Sequence, residues 1–125
     1  MSTKHIGDHG ETLAVRYLEG EGYRVLDQNY RYERAEVDLV CFDPSGASRG
    51  QIVFVEVKAR SGLGYGSPEE AVTEDKQERI ARVAEAYLYE RRLDGSPVRF
   101  DVVGIVLNQG DDPDITHFKN AFWAP

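Results

Sequence analysis

The chain has 125 residues, 41% of them hydrophobic and 30% charged, with a formal net charge of −7 and a single cysteine. That length suits one core, so a single domain over residues 1–125 is expected. The acidic balance argues against a protein that coats nucleic acid non-specifically, which draws on surplus Lys and Arg, but leaves room for a localized basic groove.

Residues 1–11, MSTKHIGDHGE, carry no apolar core of signal-peptide type, and no apolar run approaches the roughly 20 residues of a membrane span. A cytoplasmic setting without a membrane partner is expected. From residue 7 to about 20, GDHGETLAVRYLEG sets Leu13, Ala14, Tyr17 and Leu18 on one helical stripe that runs out at Gly20 and Gly22. Gly7 and Gly10 leave room for this first helix to approach a sheet closely. YRVLDQNY predicts a short strand and YERAEVDLVCF a longer one, with Val37, Leu39 and Cys41 on one face. Cys41 reads as a small core residue and, being alone, excludes an intramolecular disulfide or a multi-cysteine metal cluster.

The polar turn DPSGASRG leads into IVFVEVKAR, residues 52–60, which closes a three-strand meander. After the loop SGLGYG, Ser67-Pro68-Glu69-Glu70 has the capping serine, first-turn proline and following glutamate of a helix start, and Thr73 offers a second cap. Lys76, Ile80, Val83, Ala84, Tyr87 and Leu88 then recur at helical spacing until Asp94-Gly95, which predicts the longest helix. VRFDVVGIVL is another strand, DDPD an exposed acidic turn, and ITHFKNAF a short closing element. The order is α, β, β, β, α, β plus a short final element, without internal repeats.

Within IVFVEVKAR, strand alternation puts Phe54, Glu56 and Lys58 on one face. A hairpin pairing Phe42 with Ile52 and Val40 with Phe54 continues to set Asp38 opposite Glu56 and Glu36 opposite Lys58. Like charges directly opposite one another destabilise a sheet. Lys58 supplies one positive charge for which Glu36 competes, so the economical solution is a hard divalent cation held by oxygens of Asp38 and Glu56. Both helical stripes end in charge near this point, at Glu11 in the first helix and at Lys76, with Gln77 beside it, in the second. A solvated helix end accounts equally well for Glu11 and Lys76, and better for Gln77.

The combination Glu11 … Asp38 … Glu56-Val57-Lys58 on this order of elements resembles the restriction-endonuclease-like PD-(D/E)XK nuclease fold, and within it the archaeal Holliday junction resolvases. More closely, GDHGETLAVRYLEGEGYRVLDQNYR, AEVDLV, FVEVKAR, AVTEDKQERIARVAEAYL and RFDVV resemble the small bacterial UPF0102 (YraN-like) family over nearly the whole chain. Ala35 stands where that family usually has the glycine of Gly-Glu-Ile-Asp. The resemblance implies an α/β fold with an αβββαβ core, its central mixed sheet flanked by helices, and metal-dependent phosphodiester hydrolysis in DNA.

In that reading Asp38, Glu56, the Val57 carbonyl and Glu11 bind Mg²⁺ or Mn²⁺, and Lys58 orients the attacking water or stabilises charge on the phosphate. Glu36 supports Lys58 or a water, and Lys76 contacts a phosphate. Arg31, Arg34, Arg60, Arg79 and Arg82 are candidates for tracking the DNA backbone, as each is for a solvated surface charge. A homodimer is what analogy with the resolvases suggests.

His5, His9 and His117 lack the spacing of a zinc motif. Arg99 and Asp101 read as a structural ion pair, and Tyr65 as a base-stacking or loop-closing residue. Two other function classes compete. One is a non-catalytic nucleic-acid-binding module that assists a partner enzyme. The other is a glycosidase built on two carboxylates, against which Lys58 counts because it lowers the pKa of Glu56.

Overall fold

The computed structural model describes residues 3–61, 72–107, 110 and 112–122. The helix start expected at Ser67-Pro68-Glu69-Glu70 and the loop carrying Tyr65 lie outside them. The elements are α1 (Thr3–Gly20), β1 (Arg24–Tyr32), β2 (Ala35–Asp43), β3 (Gln51–Ser61), α2 (Glu74–Glu90), β4 (Val98–Leu107) and β5 (Asp114–Phe118). Helix α1 starts four residues earlier than its stripe suggests and, at 18 residues against 17 for α2, is the longer of the two. Strand β1 runs on to Tyr32, so the segment read as one strand from Tyr32 is split by a turn at Glu33-Arg34.

The five strands form one open sheet in the order β1-β2-β3-β4-β5. β1, β2 and β3 make the antiparallel meander, β4 runs parallel to β3, and β5 pairs antiparallel with β4. Two helices on a mixed sheet in this order make the αβββαβ arrangement of a restriction-endonuclease-like core.

The helices cover opposite faces. Ala14 and Leu18 of α1 pack with Leu39, Cys41, Val53, Val55, Val103 and Ile105. Ile80, Val83, Ala84 and Tyr87 of α2 pack with Val37, Val40, Ile52, Phe54, Phe100 and Val102. Alternation along β3 and β4 sends successive side chains to these two layers, which is why both strands read as nearly continuous apolar runs. Tyr87 anchors the α2 layer through edge contacts with Tyr30 at 5.0 Å and Phe54 at 5.8 Å, each contributing about 0.5–1.5 kcal/mol beyond burial. Thr73 caps α2, its hydroxyl accepting the Lys76 amide hydrogen at 3.3 Å.

Gly10 sets how closely α1 lies on the sheet: a Cβ there would stand 2.3 Å from the Cβ of Ala59 on β3. Gly7, expected to serve the same purpose, faces open space. Arg99 and Asp101 form the ion pair expected of them, at 2.9 Å, within a larger buried network. Arg99 also holds Asp43 at 3.0 Å, and Asp101 bonds His117 at 2.7 Å.

Candidate metal centre

The β2–β3 hairpin has the expected register, pairing Phe42 with Ile52 and Val40 with Phe54, but the ladder ends at Leu39 and Val55. One step further the strands part. Asp38 and Glu56 are not ladder partners; their side chains take over the backbone bonding. Asp38 Oδ2 accepts the Val57 amide hydrogen at 2.7 Å, and Glu56 Oε1 accepts the Asp38 amide hydrogen at 3.4 Å. β3 stays paired to β4 through Glu56, Val57 and Lys58, so it is β2 that departs.

The cause of the departure is visible in β1 and β2. The β1–β2 register runs through Gln28↔Leu39 and Tyr30↔Val37 but leaves out Asn29 and Asp38. Asn29 has φ of 53°, a left-handed conformation that asparagine tolerates better than most residues. The face alternation slips at the same place. Val37, expected beside Leu39 and Cys41, packs in the α2 layer with Val40, because the chain turns over at Asp38.

Charges from both faces converge on this gap. Burial pushes the Asp38 carboxyl pKa up, against the Val57 amide and Lys58, which favour its ionised form. Burial and then Asp38 push Glu56 to about 8, outweighing the lowering by Lys58. Lys58 therefore lowers Glu56 without keeping it low, contrary to the expectation that set it against a glycosidase. From α1, Glu11 is raised by burial and by Asp38, while a hydrogen bond from Asn29 pulls the other way. From α2, Lys76 lies against Lys58; that contact and then burial push its pKa down, and Glu56 and Asp38 pull it back.

A small cavity of about 140 Å³ at the carboxylates is lined by Arg34, Glu36, Glu56, Lys76, Arg79 and Ile80, with Ala35. It shares Arg34, Ala35 and Arg79 with a larger hollow of about 660 Å³, which also takes in Tyr32, Glu33 and Arg82. The structure therefore gathers Glu11, Asp38, Glu56, Lys58 and Lys76, with Glu36, Arg34 and Arg79 at the margin. Glu36 pairs with exposed Arg31 at 3.4 Å. Gln77 donates its amide to the Val72 carbonyl at 3.1 Å, tying down the start of α2. Arg60 is half-buried further along β3. Sequence reasoning missed Asn29 and Tyr32; the one available signal was an asparagine inside a strand pattern, a residue type that marks left-handed backbone.

Among the described residues no three His, Cys, Asp or Glu side chains form a ready-made metal cage. The donor set nonetheless fits Mg²⁺ or Mn²⁺. Asp38 and Glu56 each commit one oxygen to a backbone amide and retain a second, and both are acids whose ionised forms are disfavoured without a cation. Mg²⁺ is commonly held by one or two carboxylates while water and substrate phosphate complete its shell.

No helix among the described residues is long and apolar enough to cross a membrane. Residues 10–105 match the family described as "Uncharacterised protein family UPF0102". A UPF0102 protein of Rhodococcus opacus is 48% identical over 117 residues, covering 94% of this chain and 95% of the relative. Its counterpart in Rhodococcus jostii has the same identity and coverage. A UPF0102 protein of Trichlorobacter lovleyi is 44% identical over 117 residues, 94% of this chain and 89% of its own. A match across nearly the full length at this identity makes the chain a member of the UPF0102 family.

Proposed function

We propose that this protein is a divalent-metal-dependent nuclease that hydrolyses phosphodiester bonds in DNA, with branched or single-stranded recombination and repair intermediates as its substrates. The observation that carries the reading is the pair Asp38 and Glu56, set into a break in the sheet with Lys58 and Lys76 against them. Asp38 and Glu56 would hold Mg²⁺ or Mn²⁺, with Glu11 and the Val57 carbonyl as further oxygen donors. The bound ion supplies Lewis-acid polarisation of the phosphate and a lowered pKa for water. Lys58 and Lys76 place positive charge where the phosphoryl oxygens gain negative charge. Water adds hydroxide to phosphorus, the P–O ester bond breaks, and the proton passes to the leaving oxygen. Arg34, Arg79 and Arg82 face the flanking hollow as phosphate contacts, with Arg31, Arg60 and Gln77 at the periphery. Two copies acting on two strands fit a junction substrate.

The test is incubation of pure protein with flap, four-way junction, single-stranded and duplex DNA, each in Mg²⁺, Mn²⁺ or chelator. Cleavage should require metal and disappear in Glu56→Gln and Lys58→Ala. Cleavage that survives both substitutions belongs to a contaminant. The net charge of −7 favours a second reading, a non-catalytic nucleic-acid-binding module assisting a partner enzyme. Binding without cleavage under every condition selects it.

A further inference from the structure

Tyr32 is 43% exposed, one of two large hydrophobic side chains so placed among the described residues; the other, Tyr89, lies near the C-terminal end of α2. Tyr30, two residues before it on β1, is fully engaged, packed on Tyr87 and bonded to Glu90. The Tyr32 side chain makes no hydrogen bond or ring contact with another described residue. Its cross-strand partner is Ala35, whose methyl group covers little of a phenol ring. The ring therefore presents a partly uncovered aromatic surface at the β1–β2 turn.

That surface borders the hollow of about 660 Å³, a volume within the range of small-ligand sites. Arg34, Arg79 and Arg82 stand on the same rim, and none has an ion pair to a described residue. Among the described residues Glu33 is the one acid there, so three positive charges against one leave an excess of two on that lining, in a chain whose net charge is −7. Through Arg34, Ala35 and Arg79 the hollow adjoins the cavity of Glu56 and Lys76. An aromatic face and phosphate-binding cations side by side next to a hydrolytic centre are what an unpaired nucleotide needs: its base stacks while its backbone is neutralised. A base inside a duplex has both faces covered by its neighbours and cannot use such a platform.

We infer that Tyr32 stacks on an unpaired base adjacent to the phosphate held at Asp38 and Glu56, which makes DNA with unpaired nucleotides the substrate class. The inference rests on the nuclease reading above. It is tested with labelled oligothymidylate and a blunt duplex of equal length, in Ca²⁺ so that binding is read without cleavage. Tyr32→Ala should weaken single-strand binding by about 5- to 140-fold, the span of one base stack on an aromatic ring, and duplex binding by less than about twofold. Tyr32→Phe should bind as wild type does, and Arg82→Ala should weaken both DNAs alike. Thermal melts check that the exposed substitutions leave the fold intact. Equal effects of Tyr32→Ala on both DNAs, or no effect on either, overturn the stacking role while the nuclease reading stands. A wild-type protein that binds neither DNA removes both.

Discussion

Asp38 and Val57 are joined across the break in the sheet, the carboxylate Oδ2 accepting the Val57 amide hydrogen at 2.7 Å. Asp38 is therefore a structural bridge as well as a candidate ligand, and two substitutions separate these roles. Asp38→Asn keeps an oxygen for the amide and, above about pH 8 where Glu56 is also ionised, removes one of two repelling charges, worth on the order of 1 kcal/mol. In chelator at that pH it should melt about 4 °C above wild type. Asp38→Ala leaves the Val57 amide without a partner and should melt lower, by about 1–3 kcal/mol. In millimolar Mn²⁺ both should fall below wild type, since metal stabilises only the form with both ligands. An Asp38→Asn protein that melts below wild type in chelator would show that the amide bond to the charged oxygen outweighs the repulsion.

Metal binding is measurable without activity. Titration calorimetry should find Mn²⁺ binding to the wild type, none to Glu56→Ala, and weaker binding to Glu11→Gln, which loses the carboxylate reaching the site from α1. Equal binding by wild type and Glu56→Ala would remove the basis for the centre.

The pH dependence in chelator has a defined sign. Glu56 titrates at about 8 in the folded protein against an ordinary 4.5. Between those values the folded state holds a proton that the unfolded state has released. Its contribution is full below about 4.5 and is lost as the pH rises through 8. Melting temperature should fall across that window, and Glu56→Gln should flatten the fall. A profile of equal slope in the two proteins would show that Glu56 is not the group responsible.

The opposite sign applies to Asp43 and Asp101. Burial opposes ionisation of Asp43, but hydrogen bonds from Ser45 and Arg99 prevail and bring it to about 2. Asp101, likewise buried, is held low by His117 and Arg99. The stabilisation from Asp43 is present above the ordinary 3.8 and is lost as the pH falls through about 2, and that from Asp101 is lost in the same direction, below 3.8. Asp101→Ala leaves Arg99 and His117 without their shared partner and should cost about 3–5 kcal/mol, read from urea denaturation.

Gly10→Ala tests how α1 is seated. The added methyl meets Ala59 at 2.3 Å, so the helix must lift from β3, costing about 1–3 kcal/mol. Because Glu11 is the next residue, Mn²⁺ affinity should drop with stability. The double variant Gly10→Ala with Ala59→Gly should recover both; a failure to recover would place the strain elsewhere.

Much of this architecture was legible in residue order. Apolar spacing of 2 and 3.6 located both helices and the four long strands, and the turn DPSGASRG fixed the hairpin register. Family membership followed from local motifs such as FVEVKAR. Tyr32 was assigned to the wrong strand because nothing in Tyr-Glu-Arg-Ala is a recognised hairpin turn pair; Glu33 supplies the positive φ of 56° itself.

The sequence alone determined which residues alternate on which strand, since side-chain direction follows backbone period, and it placed Glu56 and Lys58 on one face of β3. Only the tertiary structure decided that β2 leaves the ladder at Asp38. That depends on Asn29 adopting a left-handed conformation and on two side chains replacing backbone partners, neither of which periodicity encodes. The same holds for the convergence of Glu11 and Lys76 from opposite faces of the sheet. Their distances are set by helix packing over long sequence separations, and so is the elevated pKa of Glu56, whose cause is burial by the whole fold.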